Sequence, residues 1–405
     1  MPPIKNYGTM QQIYSNSVLD KTNKYIYHRP EITHFKCIYK KHTLFSFESI
    51  PIELKSNPYF NNNYNFYIPF NGDLMHKLYL QVTLPHIEYP EDTPDDEKSY
   101  WTNRIGFNII KKIKLLINGN EFDILSGLYM HIWSELTHSI DKKQLLDHLV
   151  GSKGEDGISK GLCCDKPHTL NIPIFFTCHE YIQNSIPLIS LKDRITMIKI
   201  EFNSLDNCIQ KGILPNNKLY NVNLWVDYIF LDSEERRLIC LNNNDYLYNY
   251  INSSDNSMIL NKSIFKLPVS QHVQELLWVL RKKKPQGDKF TDFTIDHKIS
   301  NIKDIQLYIN KKEIFSSGAK KNKYFNYYLP YKKHTGKPDL GINCYPFSIN
   351  PEVINPTGHL TFNISDGSIK ITKNTNDECD VFLFTRIIEP LHINTNYIST
   401  RTFHR

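Results

Sequence analysis

A few short stretches carry side chains whose types and spacing could do chemistry. Gly157-Ile158-Ser159-Lys160-Gly161 spells G-x-S-x-G, the turn that presents a serine nucleophile between an apolar strand and a helix. Here Ser152-Lys153-Gly154-Glu155-Asp156 precedes it and Leu162-Cys163-Cys164-Asp165 follows, so the context is that of a flexible loop. His179-Glu180 opens the H-E-x-x-H pattern of a zinc helix, but Gln183 stands where the second histidine must coordinate. Cys163, Cys164, His168, Cys178 and His179 are ligand types close in sequence, yet their spacing fits no zinc finger. Cys178 also ends a stretch that reads as a core strand, so buried thiols are the expectation. Neither a Walker pattern nor G-x-G-x-x-G occurs. No cofactor, no metal and no enzymatic activity are expected.

The charged stretches have two readings each. Glu91-Asp92 with Asp95-Asp96-Glu97 is most simply a solvated acidic loop, with contact between subunits as the functional alternative. Arg281-Lys282-Lys283-Lys284 follows the apolar run Glu275–Leu280; it is a solvated strand end, or a patch for anionic lipid or an acidic neighbouring loop. Glu234, Glu235, Arg236 and Arg237 suit local pairing on a short helix, with an interface role as the alternative. Asn252, Asn261 and Asn363 begin N-x-S/T sequons and are candidate glycosylation sites. The formal net charge of +6 is mild, so no specific nucleic-acid partner is expected.

These residues need a scaffold, and the pattern of the chain describes a β-rich one. At 405 residues the chain suggests two or three domains. Aromatic content is 13%, and apolar runs of five to eight residues are bounded by Pro, Asn, Asp and Gly. No run approaches the ~18 apolar residues of a membrane span, and the first residues lack the apolar core of a secretory signal. With no regular spacing among the eight Cys, free thiols in a reducing compartment are expected. Asn65–Pro85 reads as strand, turn, strand; Ser126–Gly151 is the longest helix candidate; Ser233–Leu241 reads as a short helix capped by Ser233. Leu170–Cys178, Arg194–Asn203 and Asn221–Asp232 read as strands, and the second half repeats the pattern.

The repetition is explicit. Ile110–Ile124 and Ile302–Ser316 share Ile110/Ile302, Lys111/Lys303, Ile113/Ile305, Leu115/Leu307, Ile117/Ile309, Asn118/Asn310 and Glu121/Glu313 at constant offset. Each half holds about eight strand candidates and few helices. That is the all-β pattern of two tandem eight-stranded antiparallel jelly rolls, with a few short helices in loops. The expected organisation is an N-terminal arm over 1–30, a first jelly roll over 31–235 and a second over 236–405.

Several blocks also resemble a known family, the double jelly-roll major capsid proteins of nucleocytoplasmic large DNA viruses. Tyr27–Ile50 is similar to the family's N-terminal signature through Pro30, Ile32, Thr33, Phe35, Lys36, Lys40, Lys41, His42, Thr43, Phe45, Phe47, Glu48 and Ser49. Asn71–Pro85, Trp101–Leu136, Pro187–Phe202, Val226–Arg237 and Lys323–Asn363 follow in family order. Pro356-Thr357-Gly358 departs from the usual Pro-Ser-Gly, and no Arg follows it at the usual place. The resemblance implies a structural capsid protein that self-assembles into pseudo-hexagonal homotrimers tiling an icosahedral shell. It further implies neighbouring capsomers, minor capsid proteins and an internal viral membrane as partners, with assembly in the host cytoplasm. The alternatives are a minor capsid or scaffold-type paralogue, and, from another class, a glycan- or receptor-binding jelly-roll module.

Overall fold

The computed structural model describes residues 29–400 apart from 55–57, 91, 95–96, 153–160, 177–179, 193, 214, 242–243, 270–271, 286–287, 296–297, 310, 315–322, 354, 363–366 and 394–397. Met1–Leu44 cluster as one unit and Phe45–Arg405 as another. In the first unit the described stretch, 29–44, holds neither strand nor helix.

The second unit begins with β1 (Phe45–Glu53), β2 (Asn63–Tyr67), β3 (Leu74–Thr83), β4 (Ile110–Ile117), β5 (Asn120–Leu125), β6 (Thr169–Ile174), β7 (Thr196–Phe202) and β8 (Tyr220–Leu231). They pair antiparallel in two sheets, ordered β1-β8-β3-β6 and β2-β7-β4-β5. This is a jelly roll, two four-stranded sheets face to face. The period-2 rule is visible along β7, where Thr196, Ile198, Ile200 and Phe202 are buried and Met197, Lys199 and Glu201 are half-buried.

The same order recurs in β9 (Asn244–Met258), β10 (Lys262–Lys266), β11 (His272–Lys282), β12 (Ile302–Ile309), β13 (Lys312–Glu313), β14 (Asn343–Pro346), β15 (Ser368–Lys373) and β16 (Cys379–Ile393). Their sheets run β9-β16-β11-β14 and β10-β15-β12-β13, with short strands at Leu360–Thr361 and Ile398–Thr400 added to the first of these. The two repeated sequence stretches are thus β4-β5 and β12-β13, in matching sheet positions. Even the irregularity repeats. The ladder of β4 with β7 slips between Ile110 and Lys112, and that of β12 with β15 slips between Ile302 and Asp304, at the same relative place. The β4-β5 turn is built on Asn118 at φ 52° and Gly119 at φ 82°, the left-handed pair an Asn-Gly hairpin requires. In the second roll Lys311, aligned with Gly119, takes φ 62° despite its side chain.

Three local expectations are corrected. Asn65–Pro85 forms two strands, but β2 and β3 lie in different sheets, so the segment crosses the roll instead of folding as a hairpin. Ser126–Gly151 is two helices, α2 (Gly127–Thr137) and α3 (Ile140–Val150), counting the short α1 (Ile105–Asn108) before them. The break follows from side chains competing for the last carbonyls: Thr137 Oγ1 donates to Trp133 O at 2.8 Å, and His138 is extended at φ −90°, ψ 135°. The helix between the rolls spans Ser233–Leu241 as expected, but Asp232 caps it, accepting from Glu235 N at 2.8 Å. With α4 (Leu205–Cys208) preceding it, this helix is α5, and α6 (Leu329–Lys333) follows a π turn over Tyr324–Tyr328. The expected boundary between the rolls at residue 235/236 falls within α5. One buried apolar cluster runs through both rolls, from Phe60 to Ile393.

Candidate functional site

The most elaborately built place in the molecule is the junction of the two rolls, centred on α2. Ser126 starts the helix by accepting from Tyr129 N at 3.2 Å, and every residue from Gly127 to Leu136 is buried. Gly127 is required there: a Cβ would lie 1.9 Å from Phe107 O and 2.5 Å from Ile110 O. The helix lays its aromatic side on the second roll. Tyr129 meets Phe384 of β16 at 5.6 Å, and Trp133 carries the Arg386 guanidinium at 3.9 Å over its ring.

Arg386 is 1% exposed and reaches back to the first roll to pair with Glu180 at 2.8 Å, and within its own roll it donates to Pro351 O at 2.6 Å. Burial works against its charge, but Glu180 more than restores it. Beside it, His334 sits edge-on to Trp133 at 6.1 Å between two carboxylates, with Nε2 2.6 Å from Glu275 and Nδ1 3.0 Å from Glu352. Burial alone would lower the His334 pKa, yet the Glu275 charge and the hydrogen bonds raise it well above the ordinary value. Two carboxylates, one at each ring nitrogen, thus favour the imidazolium form of His334. Glu352 is held below the usual carboxylate range, against its burial, by His334 and by Thr335, whose Oγ1 and N donate at 2.6 and 2.9 Å.

A second ionic group locks the other end of α2. Arg104, left-handed at φ 50°, pairs with Glu135 at 2.6 Å and Asp147 at 2.9 Å, and its NH1 lies 3.1 Å from His131 Nδ1. Burial, then Arg104, pushes His131 down to about 3, so this ring is neutral and accepts. Lys143 of α3 joins Glu135 at 2.7 Å and donates to Lys337 O of the second roll. Backbone crosses directly too: Gly336 N donates to Leu136 O at 2.6 Å, and Asn103 N donates to Asp288 at 2.7 Å. The arrangement ties buried charges to partners drawn from both rolls, while Glu275 Oε2, Arg386 Nε, His131 Nε2 and the Tyr129 hydroxyl have no hydrogen-bond partner among the described residues.

Glu275, His334 and Cys344 bring ligand-type atoms within 4.8 Å of one another. Both His334 nitrogens face carboxylates, Nε2 that of Glu275 and Nδ1 that of Glu352, so the geometry is that of an ion-pair cluster.

The residues singled out from sequence lie elsewhere. Arg236 pairs with Asp73 at 2.8 Å, anchoring α5 to the first roll, while Arg237 pairs within the helix, with Glu234 at 3.5 Å. Lys282 and Lys283 face Asp377 at 3.4 Å and Glu378 at 3.2 Å in the same roll, whereas Arg281 stacks on Phe382 at 4.8 Å and Lys284 is exposed. Asn252 is half-buried within β9 and Asn261 is exposed in the turn after it; Asn363 lies outside the described residues. Of the G-x-S-x-G stretch only Gly161 is described, and a Cβ there would sit 1.6 Å from Trp101 O. Cys164 is buried, which pushes its thiol up to about 12, while Cys178 and His179 lie outside the described residues. Asp92 and Glu97 are exposed; Glu91, Asp95 and Asp96 are outside the described set.

Sequence reasoning missed the junction charges, because each partner comes from a different element. It also missed two exposed apolar faces on equivalent loops between the fifth and sixth strands of each roll. On α3 these are Ile140, Leu145 and Leu149; around α6 they are Tyr327, Tyr328 and Tyr331, the last 86% exposed.

Comparison with known proteins agrees with this architecture. The family model described as major capsid protein N-terminus matches residues 33–232, and that described as large eukaryotic DNA virus major capsid protein matches 235–382. Capsid protein 1 of Acanthamoeba polyphaga mimivirus is 29% identical over 286 residues, which are 66% of this chain and 48% of that protein, so the match spans about half of that relative. The major capsid protein of Pyramimonas orientalis virus is 28% identical over 359 residues, 82% of this chain and 84% of that one. Among solved structures, a chain of the PBCV-1 virus capsid superposes with a TM-score of 0.77 at 16% identity, covering 91% of this chain and 100% of that chain. The Faustovirus major capsid protein gives 0.71 at 12% identity, covering 96% and 97%. Two family models that meet at α5, one for each roll, coincide with the duplicated fold, and the chain belongs to the major capsid proteins of large eukaryotic DNA viruses, structural proteins of the virion shell built as double jelly rolls.

Proposed function

We propose that this chain closes into a homotrimer of pseudo-hexagonal outline, and that such trimers tile an icosahedral shell. The observation that carries this reading is the pairing of two equivalent rolls through an ionic junction. Three chains with two such rolls each present six similar columns. The contact we assign between chains is heterologous: the Leu145 and Leu149 face of α3 on one copy meets the Tyr327, Tyr328 and Tyr331 face of the next. An obligate interface of this kind buries ~2,000 Å² or more. The role is structural, not enzymatic, in keeping with buried charges that are engaged with one another.

Minor capsid proteins and an internal viral membrane are the further partners in this reading, and the host cytoplasm is the site of assembly. Among the sequons, Asn261 is the one whose exposure suits glycan attachment. Sedimentation velocity with light scattering on the purified protein at micromolar concentration is expected to give three copies per particle. A stable monomer there would overturn the proposal. Cryo-electron microscopy of the virion distinguishes a principal shell protein, which fills most hexagonal positions, from a minor paralogue confined to a few.

A further inference from the structure

Between the two rolls opens a cleft of about 850 Å³, walled by the start of β4 on one side and by the end of β11 with the start of β16 on the other. This lies within the 300–1,000 Å³ range of small-ligand sites, roughly speaking. Its lining combines opposite chemistries. Lys111, Lys112, Arg281 and Lys284 supply cations, and among the described residues none of the four is in an ion pair within 4.0 Å. Their neighbours Lys282 and Lys283 are, with Asp377 and Glu378, so the sequence run of basic residues divides into a paired half and an unpaired half. Arg281 stacks on Phe382 at 4.8 Å beside the charges of Asp380, Asp288 and Asp255, and its planar fork of donors matches a bidentate oxyanion. Asp206, Asp255 and Asp380 line the same cleft as acceptors.

That mixture discriminates between ligands. Three carboxylates repel a simple polyphosphate or a nucleic-acid backbone, but they accept hydrogen bonds from sugar hydroxyls. A neutral sugar, for its part, leaves four cations unused. A ligand carrying both hydroxyl donors and anionic groups uses the whole lining. We propose that the inter-roll cleft binds an acidic oligosaccharide, with its sulfate or carboxylate groups on Arg281 and Lys112 and its hydroxyls on Asp255 and Asp380. This site borders the start of α2 through Ser126 and Leu128 and shares Phe384 with the junction, but contains none of the residues of the faces assigned to contact between chains.

Isothermal titration of the 405-residue chain tests it with four probes: a heparin hexasaccharide, a hexameric oligoguluronate, neutral maltohexaose and tripolyphosphate. Saturable binding, one ligand per chain, is expected for at least one of the acidic sugars, at least tenfold tighter than for maltohexaose or tripolyphosphate. Comparison of the first two probes separates sulfate from uronate as the recognised group. Arg281→Ala, and independently the double change Lys111→Ala with Lys112→Ala on an exposed strand end, should each weaken binding at least tenfold. Lys303→Ala, an exposed lysine at the matching position of the second roll, should leave it unchanged. Equal affinity for maltohexaose, equal affinity for tripolyphosphate, no saturable binding, or indifference to the lysine pair would each overturn the proposal.

Discussion

At the scale of single residues, His334 makes the sharpest prediction. Its pKa is raised above the unfolded value near 6.5, so the folded state binds an extra proton between that value and the folded one. The stabilisation is complete below the unfolded pKa and is lost as pH rises through the folded one, by up to about 1.4 kcal/mol per pH unit. Thermal unfolding midpoints should therefore fall between neutral and alkaline pH, and His334→Gln should flatten that slope while lowering stability at pH 7. An unchanged slope in the variant would place the alkaline sensitivity elsewhere. His131, pushed down to about 3, contributes the opposite trend, costing stability as pH falls below its unfolded value. Two glycines separate backbone strain from collision. At Gly119 nothing lies within 4 Å of a Cβ and only the φ of 82° is at issue, so Gly119→Ala should cost ~1 kcal/mol. Lys311 tolerates the matching turn in the second roll. At Gly127 the collision is with backbone, so Gly127→Ala should cost at least ~3 kcal/mol in denaturant unfolding. Equal costs at the two positions would contradict the close approach of α2 to the Phe107 and Ile110 carbonyls.

At the scale of elements, the junction depends on α2 and β16 being joined by charges that each come from far along the chain. Arg386→Ala removes the guanidinium over Trp133 and strands Glu180, at a cost of about 3 kcal/mol, the low end for a buried pair because Glu180 is 24% exposed. A double-mutant cycle with Glu180→Ala should return a coupling above ~0.5 kcal/mol; additivity within that margin would mean the pair does not couple the rolls. This is also where legibility in the sequence ends. Alternation such as that of β7, and the echo between Ile110–Ile124 and Ile302–Ser316, were enough to read about eight strand candidates in each of two equivalent rolls, although β1 and β9 were not among them. Sheet partnership was not readable, because β2 and β3 are neighbours in sequence and still enter different sheets. The break at His138 was hidden since helical spacing continues past it, and what stops the helix is Thr137 and His138 bonding to carbonyls one turn back. Arg104, Glu275 and Arg386 each look like surface charges in sequence. Only the fold brings Glu135, His334 and Glu180 to them. The basic run Arg281–Lys284 was visible as charge, but its division into paired and unpaired members depends on the turn at Asp377-Glu378.

At the scale of the whole molecule, a heterologous contact between unlike faces has a consequence that a two-fold contact lacks. In a closed ring of three, each interface uses the α3 face of one copy and the α6 face of the next, so a single lesion on either face breaks all three interfaces. Leu145→Asp and Tyr331→Asp should each convert the trimer to monomer, because each places a charge in an apolar contact. Mixing the two variants restores one kind of interface only, between the intact α3 face of the Tyr331→Asp chain and the intact α6 face of the Leu145→Asp chain. The pair so formed exposes a damaged face at both ends, and a third chain cannot close the ring. Sedimentation of the mixture should therefore show dimers at equimolar ratio and no trimers. If α3 instead met α3 across a two-fold axis, the Tyr331→Asp chain alone would still associate and mixing would add nothing. Recovery of trimers in the mixture would place the contact on other surfaces, whereas dimers and nothing larger are the result of a contact between unlike faces, and three copies per particle in the unmutated protein then make that contact a three-fold ring.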